Sequence, residues 1–135
     1  MGEKGGSKGA RVDGRGIRPP NVYAISERPA PAGVVLLELR GEFDVAAAPE
    51  ARERLEQARA QRPRGVVLDL GEVTFADSSA LRELLRADAA LRGDGSLLVI
   101  AAVPPVVERL LALTRASDLL ELAPTVERAL DRLTG

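Results

Sequence analysis

From residue 22 onward, short continuous apolar runs alternate with segments whose apolar residues recur at helical spacing. Each change from one pattern to the other predicts a change of secondary structure. Short apolar runs bounded by Gly and Pro predict strands at residues 22–25, 34–39, 66–70, 97–101 and 119–122. Residues 66–70 and 97–101 are almost entirely apolar, as expected of strands that are covered on both faces.

Segments with apolar residues at helical spacing separate these strands. They predict helices over residues 49–60 and 78–92, one opened by Pro104 and Pro105, and a last one from about Thr125. Strands that alternate with helices are typical of α/β proteins with right-handed crossovers. We therefore predict a mixed, mostly parallel sheet of four to five strands, covered by about four helices.

The domain organisation follows from a change in composition near residue 20. Residues 1–20 are rich in Gly, Lys and Arg and end in Pro19-Pro20, so they cannot bury apolar surface. We expect a disordered basic tail there and one globular domain over residues 21–135. The tail is either a weak basic contact arm or a spacer.

Residue types that are missing narrow the possible functions. The 135 residues include no cysteine and no histidine, which removes thiolate sites, the usual general base and any Ser-His-Asp triad. The net charge of −1 gives no nucleic-acid footprint. No apolar run is long enough for a membrane span, and no signal peptide opens the chain. We expect a cytoplasmic protein that is not an enzyme and has no cofactor, no metal, no nucleic-acid partner and no membrane association.

The most informative junction joins the strand at residues 66–70 to the helix that begins near Ser78. Asp77, Ser78 and Ser79 place a carboxylate and two hydroxyls at a helix N-terminus, where free N–H groups and the helix dipole favour negative charge. Such hydroxyls serve as helix caps, as anion sites or as targets of a kinase. If the strands are parallel neighbours, Asp44 lies at the same end of the sheet as Ser78.

Several blocks in this order resemble the STAS domain of bacterial anti-sigma factor antagonists. The similarity covers roughly residues 22–133, and its most specific part is Asp77-Ser78-Ser79-Ala80-Leu81 after an apolar strand. The other blocks are Gly41-Glu42-Phe43-Asp44, Val66-Val67-Leu68-Asp69-Leu70, Val73-Thr74-Phe75, Leu98-Val99-Ile100, Val106-Val107-Glu108-Arg109-Leu110-Leu111 and Asp118-Leu119-Leu120.

The resemblance implies a phosphorylation switch at Ser78. In that family a partner anti-sigma factor, a GHKL-type serine kinase, phosphorylates the serine after the aspartate. The unphosphorylated antagonist binds the kinase and releases a sigma factor, and a separate phosphatase resets the cycle. The implied partner-binding residues are Glu42, Asp44, Asp77, Ser78, Ser79, Ala80 and Leu81.

Other interpretations of the same residues stay open at this stage. Ser78 or Asp77 could simply cap the helix, Asp44 could stabilise a turn, Glu42 could be a solvated loop acid, and Leu81 could belong to the core. Ala80 replaces the glycine common in the family, which favours a helix but could clash with a partner. A STAS module of a transporter or a stressosome-like assembly, without a phosphoryl cycle, is the alternative function. The oligomeric state is left open.

Overall fold

A computed structural model of the chain describes residues 11–13, 16–18 and 23–134. Two short strands, β1 (Arg11–Asp13) and β2 (Gly16–Arg18), pair with each other in antiparallel orientation. The disorder expected for residues 1–20 falls mostly outside the described residues, and it stays a prediction.

The main sheet has five strands that lie side by side in chain order. They are β3 (Tyr23–Arg28), β4 (Val34–Phe43), β5 (Gly65–Ala76), β6 (Leu97–Ala101) and β7 (Glu121–Ala123). Strand β3 is antiparallel to β4, and the remaining neighbours are parallel. The predicted mixed, mostly parallel sheet is confirmed.

Four α-helices cover the two faces of this sheet unequally. The larger core lies beneath α1 (Ala48–Ala60), α2 (Ser78–Gly93) and α3 (Pro105–Leu113), and a 3₁₀ turn at Ala116–Asp118 adds to it. The smaller core lies beneath α4 (Val126–Thr134) alone. Glycine at position 65 permits this close packing, because an added Cβ there would lie 2.5 Å from a methyl group of Leu133.

Strands β4 and β5 continue well past the apolar runs that predicted them. Residues 34–39 and 66–70 are the mostly apolar parts of these strands, and after them only Phe43 and Val73 are buried. Gly41, at φ +89°, lies at a shift in the β4–β5 register, and glycine adopts this backbone conformation without strain. The extended ends of the two strands carry the candidate site.

Candidate partner-binding site

The ends of β4 and β5 bring Asp44 and Ser78 to the same edge of the sheet. Phe43 is in register with Ala76, and the N–H of the next residue, Asp77, donates a hydrogen bond of 3.3 Å to the Phe43 carbonyl. Asp44 and Ser78 follow directly beyond this pair. The placement expected from parallel neighbouring strands is therefore confirmed.

Asp77 caps helix α2, which leaves the Ser78 hydroxyl available. The extended backbone of Asp77 (φ −123°, ψ −169°) lets its Oδ1 accept a 2.9 Å hydrogen bond from the Ser79 N–H. Ser78 is the first residue of α2 and is exposed. Among residues 23–134, no group hydrogen-bonds to its side-chain oxygen. Ser78 is thus not the N-cap, and its hydroxyl faces solvent.

Asp44 organises the turn between β4 and α1. Its Oδ1 accepts a 2.9 Å hydrogen bond from the Ala46 N–H, and its carbonyl accepts one of 3.0 Å from Ala47. The turn-stabilising role is confirmed, and the residue stays partly exposed. Glu42 is exposed as expected, but it lies in strand β4 rather than in a loop, because β4 continues past the bulge at Gly41.

The remaining residues of the Asp77–Leu81 block turn progressively toward the core. Ser79 is partly exposed, and Ala80 is partly buried against the larger core. Leu81 is only 7% exposed and belongs to that core, so its assignment to the partner-binding set is wrong. The third and fourth residues of α2 face the sheet, and Ser78 is the exposed residue of the Asp77–Leu81 block. The possibility that the Ala80 methyl group clashes with a partner protein stays a prediction.

Two exposed apolar side chains beside Ser78 were not predicted from the sequence. Val45 is 70% exposed in the turn after Asp44, and Phe75 is 44% exposed near the end of β5. Phe75 is one of only three aromatic residues, and the other two rings, Tyr23 and Phe43, are buried against each other. The Ser78 surface is hereafter the set Glu42, Asp44, Val45, Phe75, Asp77 and Ser78.

The capping role of Asp77 makes a prediction about stability. Replacing Asp77 by Ala should lower the free energy of unfolding by about 1 kcal/mol, because the Ser79 N–H loses its acceptor. Asp77→Asn keeps an acceptor oxygen and should lose less than half as much. Urea unfolding of the three proteins measures both values. Equal losses for Ala and Asn would mean that charge, not the hydrogen bond, stabilises the helix start.

A cleft of about 430 Å³ lies at the opposite end of the domain, between the C-terminal parts of α1 and α2. Arg59 donates two hydrogen bonds there to Asp94, of 2.6 and 3.1 Å. The Arg59 side chain lowers the pKa of Asp94, and the hydrogen bond to Asp94 raises the pKa of Arg59. Because Arg59 and Asp94 form an ion pair with each other, neither charge is free to bind a ligand in this cleft.

Two further features were sought in the part of the chain that the structure describes. No three His, Cys, Asp or Glu side chains there form a group that could hold a metal ion. No helix there is both long and apolar enough to cross a membrane.

Comparison with known proteins identifies the family of this fold and site. The STAS domain family model matches residues 27–129, and the chain belongs to that family. A STAS-domain containing protein of Pseudomonas aeruginosa is 32% identical over 101 residues, which cover 74% of this chain and 99% of that protein. An anti-sigma-B factor antagonist of Listeria monocytogenes is 33% identical over 82 residues, covering 61% of this chain and 72% of that one.

Solved structures share the same fold. An anti-sigma factor antagonist from Mycobacterium paratuberculosis superposes with a TM-score of 0.78 at 25% identity, over 86% of this chain and 97% of that one. The phosphorylated form of SpoIIAA from Bacillus matches at 0.65 and 21%, over 82% and 99% of the two chains. A sulfate transporter family protein from Wolinella succinogenes matches at 0.69 and 18%, over 79% and 89%. The chain therefore has an anti-sigma factor antagonist type of STAS fold.

Proposed function

We propose that this chain is an anti-sigma factor antagonist controlled by phosphorylation of Ser78. Its unphosphorylated form binds an anti-sigma factor kinase of the GHKL type and thereby releases a sigma factor. A phosphatase acting on Ser78 restores the binding form. The observation that carries the proposal is the exposed Ser78 hydroxyl at the first residue of α2, beside Asp44 and Asp77 and without a hydrogen-bond partner among residues 23–134.

Local electrostatics favour a switch that acts on binding rather than on the fold. A phosphoryl group adds about −1.5 to −2 charges and three acceptor oxygens. The N-terminus of α2 stabilises this charge by about 0.3–1 kcal/mol, whereas Asp77 opposes it as a like charge one residue away. Because these local effects oppose each other and Ser78 carries no structural hydrogen bond, the fold should be unchanged.

The exposed apolar residues support a protein partner. Val45 and Phe75 are exposed, and the acids Glu42, Asp44 and Asp77 lie close to them along the ends of the same two strands. Buried apolar anchors inside a polar rim are typical of protein interfaces. A dianion introduced at Ser78 would have to be desolvated in that interface, at a cost of several kcal/mol unless the partner supplies a cation. Partner affinity is therefore the quantity that phosphorylation changes.

The test is phosphorylation of the purified chain by the kinase that co-purifies with it from its native cell. Incubation with ATP should add one phosphoryl group, located at Ser78 by tandem mass spectrometry. Ser78→Ala should remain unmodified, and Ser79→Ala should be modified like the native chain. Equal phosphorylation of Ser78→Ala would refute the assignment. Co-purification of a transporter instead of a kinase would favour the STAS module without a phosphoryl cycle.

A further inference from the structure

The antiparallel strand β3 directs the N-terminal segment toward the Ser78 surface. Tyr23, the first residue of β3, is in register with Gly41, which directly precedes Glu42. Because β3 runs opposite to β4, the chain before Tyr23 enters the domain at the sheet edge where β4 and β5 end. Residues 1–22 are therefore attached beside the Ser78 surface and not at the far end of the sheet.

The charges of this segment are complementary to those of the Ser78 surface. Residues 1–22 contain five Lys or Arg and two acids, whereas the rest of the chain contains 14 Arg and 18 acids. The Ser78 surface contains the acids Glu42, Asp44 and Asp77 together with the exposed Val45 and Phe75. The segment combines cations with apolar residues in the same way, at Arg11, Val12, Arg15, Ile17 and Arg18. Residues 1–22 are therefore basic where the Ser78 surface is acidic, and both contain apolar residues.

The distances allow the segment to reach this surface. From Tyr23, Asp44 lies one strand spacing across and about three residues along the sheet, or about 11 Å. Ser78 lies two spacings across and about five residues along, or about 20 Å. Arg15 is eight residues before Tyr23, so extended chain between them spans up to about 26 Å. Arg11 is in register with Arg18 in the β1–β2 pair, and Arg18 is five residues before Tyr23, so Arg11 lies at most about 22 Å from Tyr23. The arginines of this segment can therefore reach the Ser78 surface.

We propose that residues 1–22 dock in cis on the Ser78 surface and compete there with the protein partner. The inference rests on the proposed function only in that both occupants use one surface. Docking brings the arginines onto Glu42, Asp44 and Asp77 and covers Val45 and Phe75. A phosphoryl group on Ser78 adds negative charge to the same surface and strengthens the docking, which reinforces exclusion of the partner.

Amide chemical shifts of the full-length ¹⁵N-labelled chain test this docking without kinase or phosphate. The double variant Arg11→Glu/Arg18→Glu should displace the amide signals of residues 42–45 and 75–79 from their native positions. The control Arg109→Glu/Arg128→Glu changes the net charge equally at exposed positions of α3 and α4, and it should leave those signals in place. In about 1 M salt, where the Debye length is about 3 Å, the native chain should resemble the segment variant.

Unchanged signals at residues 42–45 and 75–79 in the segment variant would overturn the proposal. Displacements that grow with protein concentration would overturn docking in cis and indicate docking on a second copy. Either result leaves phosphorylation of Ser78 to be judged by its own mass-spectrometric test. Conversely, a chain that no kinase modifies could still show the docking shifts, so the two failures are distinguishable.

Discussion

Phosphorylation of Ser78 is expected to weaken binding to the anti-sigma factor kinase by at least about a hundredfold. Each tenfold loss corresponds to about 1.4 kcal/mol, and an unpaired dianion in an interface costs several kcal/mol. Calorimetric titration of the native and the phosphorylated chain measures the change. Circular dichroism of both forms should be the same, because Ser78 lies at the exposed first turn of α2.

Matched variants test whether the position of the added negative charge lowers the affinity, or whether the change in net charge alone does so. Ser78→Asp should weaken binding at least tenfold, and Ser78→Ala should bind like the native chain. Thr125→Asp places an equal charge near the start of α4, where the Thr125 hydroxyl accepts a 3.0 Å hydrogen bond from the Arg128 N–H and Asp can do the same. Equal losses for Ser78→Asp and Thr125→Asp would mean that net charge alone sets affinity.

Replacement of Phe75 by Ala is expected to weaken the same complex by about 30-fold or more. Aromatic residues that anchor an interface contribute about 2 kcal/mol or more, and Phe75 is the exposed aromatic side chain beside Ser78. Titration of the unphosphorylated variant against the kinase gives the affinity, and circular dichroism verifies that the variant is folded.

A control for this prediction removes exposed apolar surface elsewhere. Leu119, which is 63% exposed and follows the 3₁₀ turn, lies outside the Ser78 surface. Leu119→Ala should therefore bind like the native chain. An affinity of Phe75→Ala within twofold of the native value would remove Phe75 from the interface.

Elements with a strong local signal could be predicted closely from the sequence. The strand at residues 97–101 has the predicted bounds, since each of its residues is apolar and Gly and Ser precede it. Helix α2 begins at Ser78 as predicted, because Asp77 is a good N-cap after a run of strand residues. The order of strands and helices likewise specified the α/β architecture.

The site was only partly predictable, because exposure also depends on shifts in strand pairing that no local sequence pattern reports. Val73 and Phe75 have the spacing of one strand face, yet Val73 is buried and Phe75 is exposed. The β4–β5 register shifts between Gly41 and Glu42, which breaks the alternation after Val73, so that Ala76 and not Phe75 packs against the larger core. Leu81 shows the opposite error, since its place in a motif suggested a partner contact while its helix position directs it to the core.

Asp77 caps helix α2 while the Ser78 hydroxyl is left exposed, and this arrangement has a consequence for how long the proposed phosphorylated form persists. The carboxylate anchors the helix start, so esterification of the neighbouring hydroxyl removes no bond on which the fold depends. Under the proposed function, phosphorylation of Ser78 should therefore not weaken the helix start or raise the protease-sensitive open population. The ratio of the two proposed forms would then be set by the proposed kinase and phosphatase and not by selective degradation of the phosphorylated form.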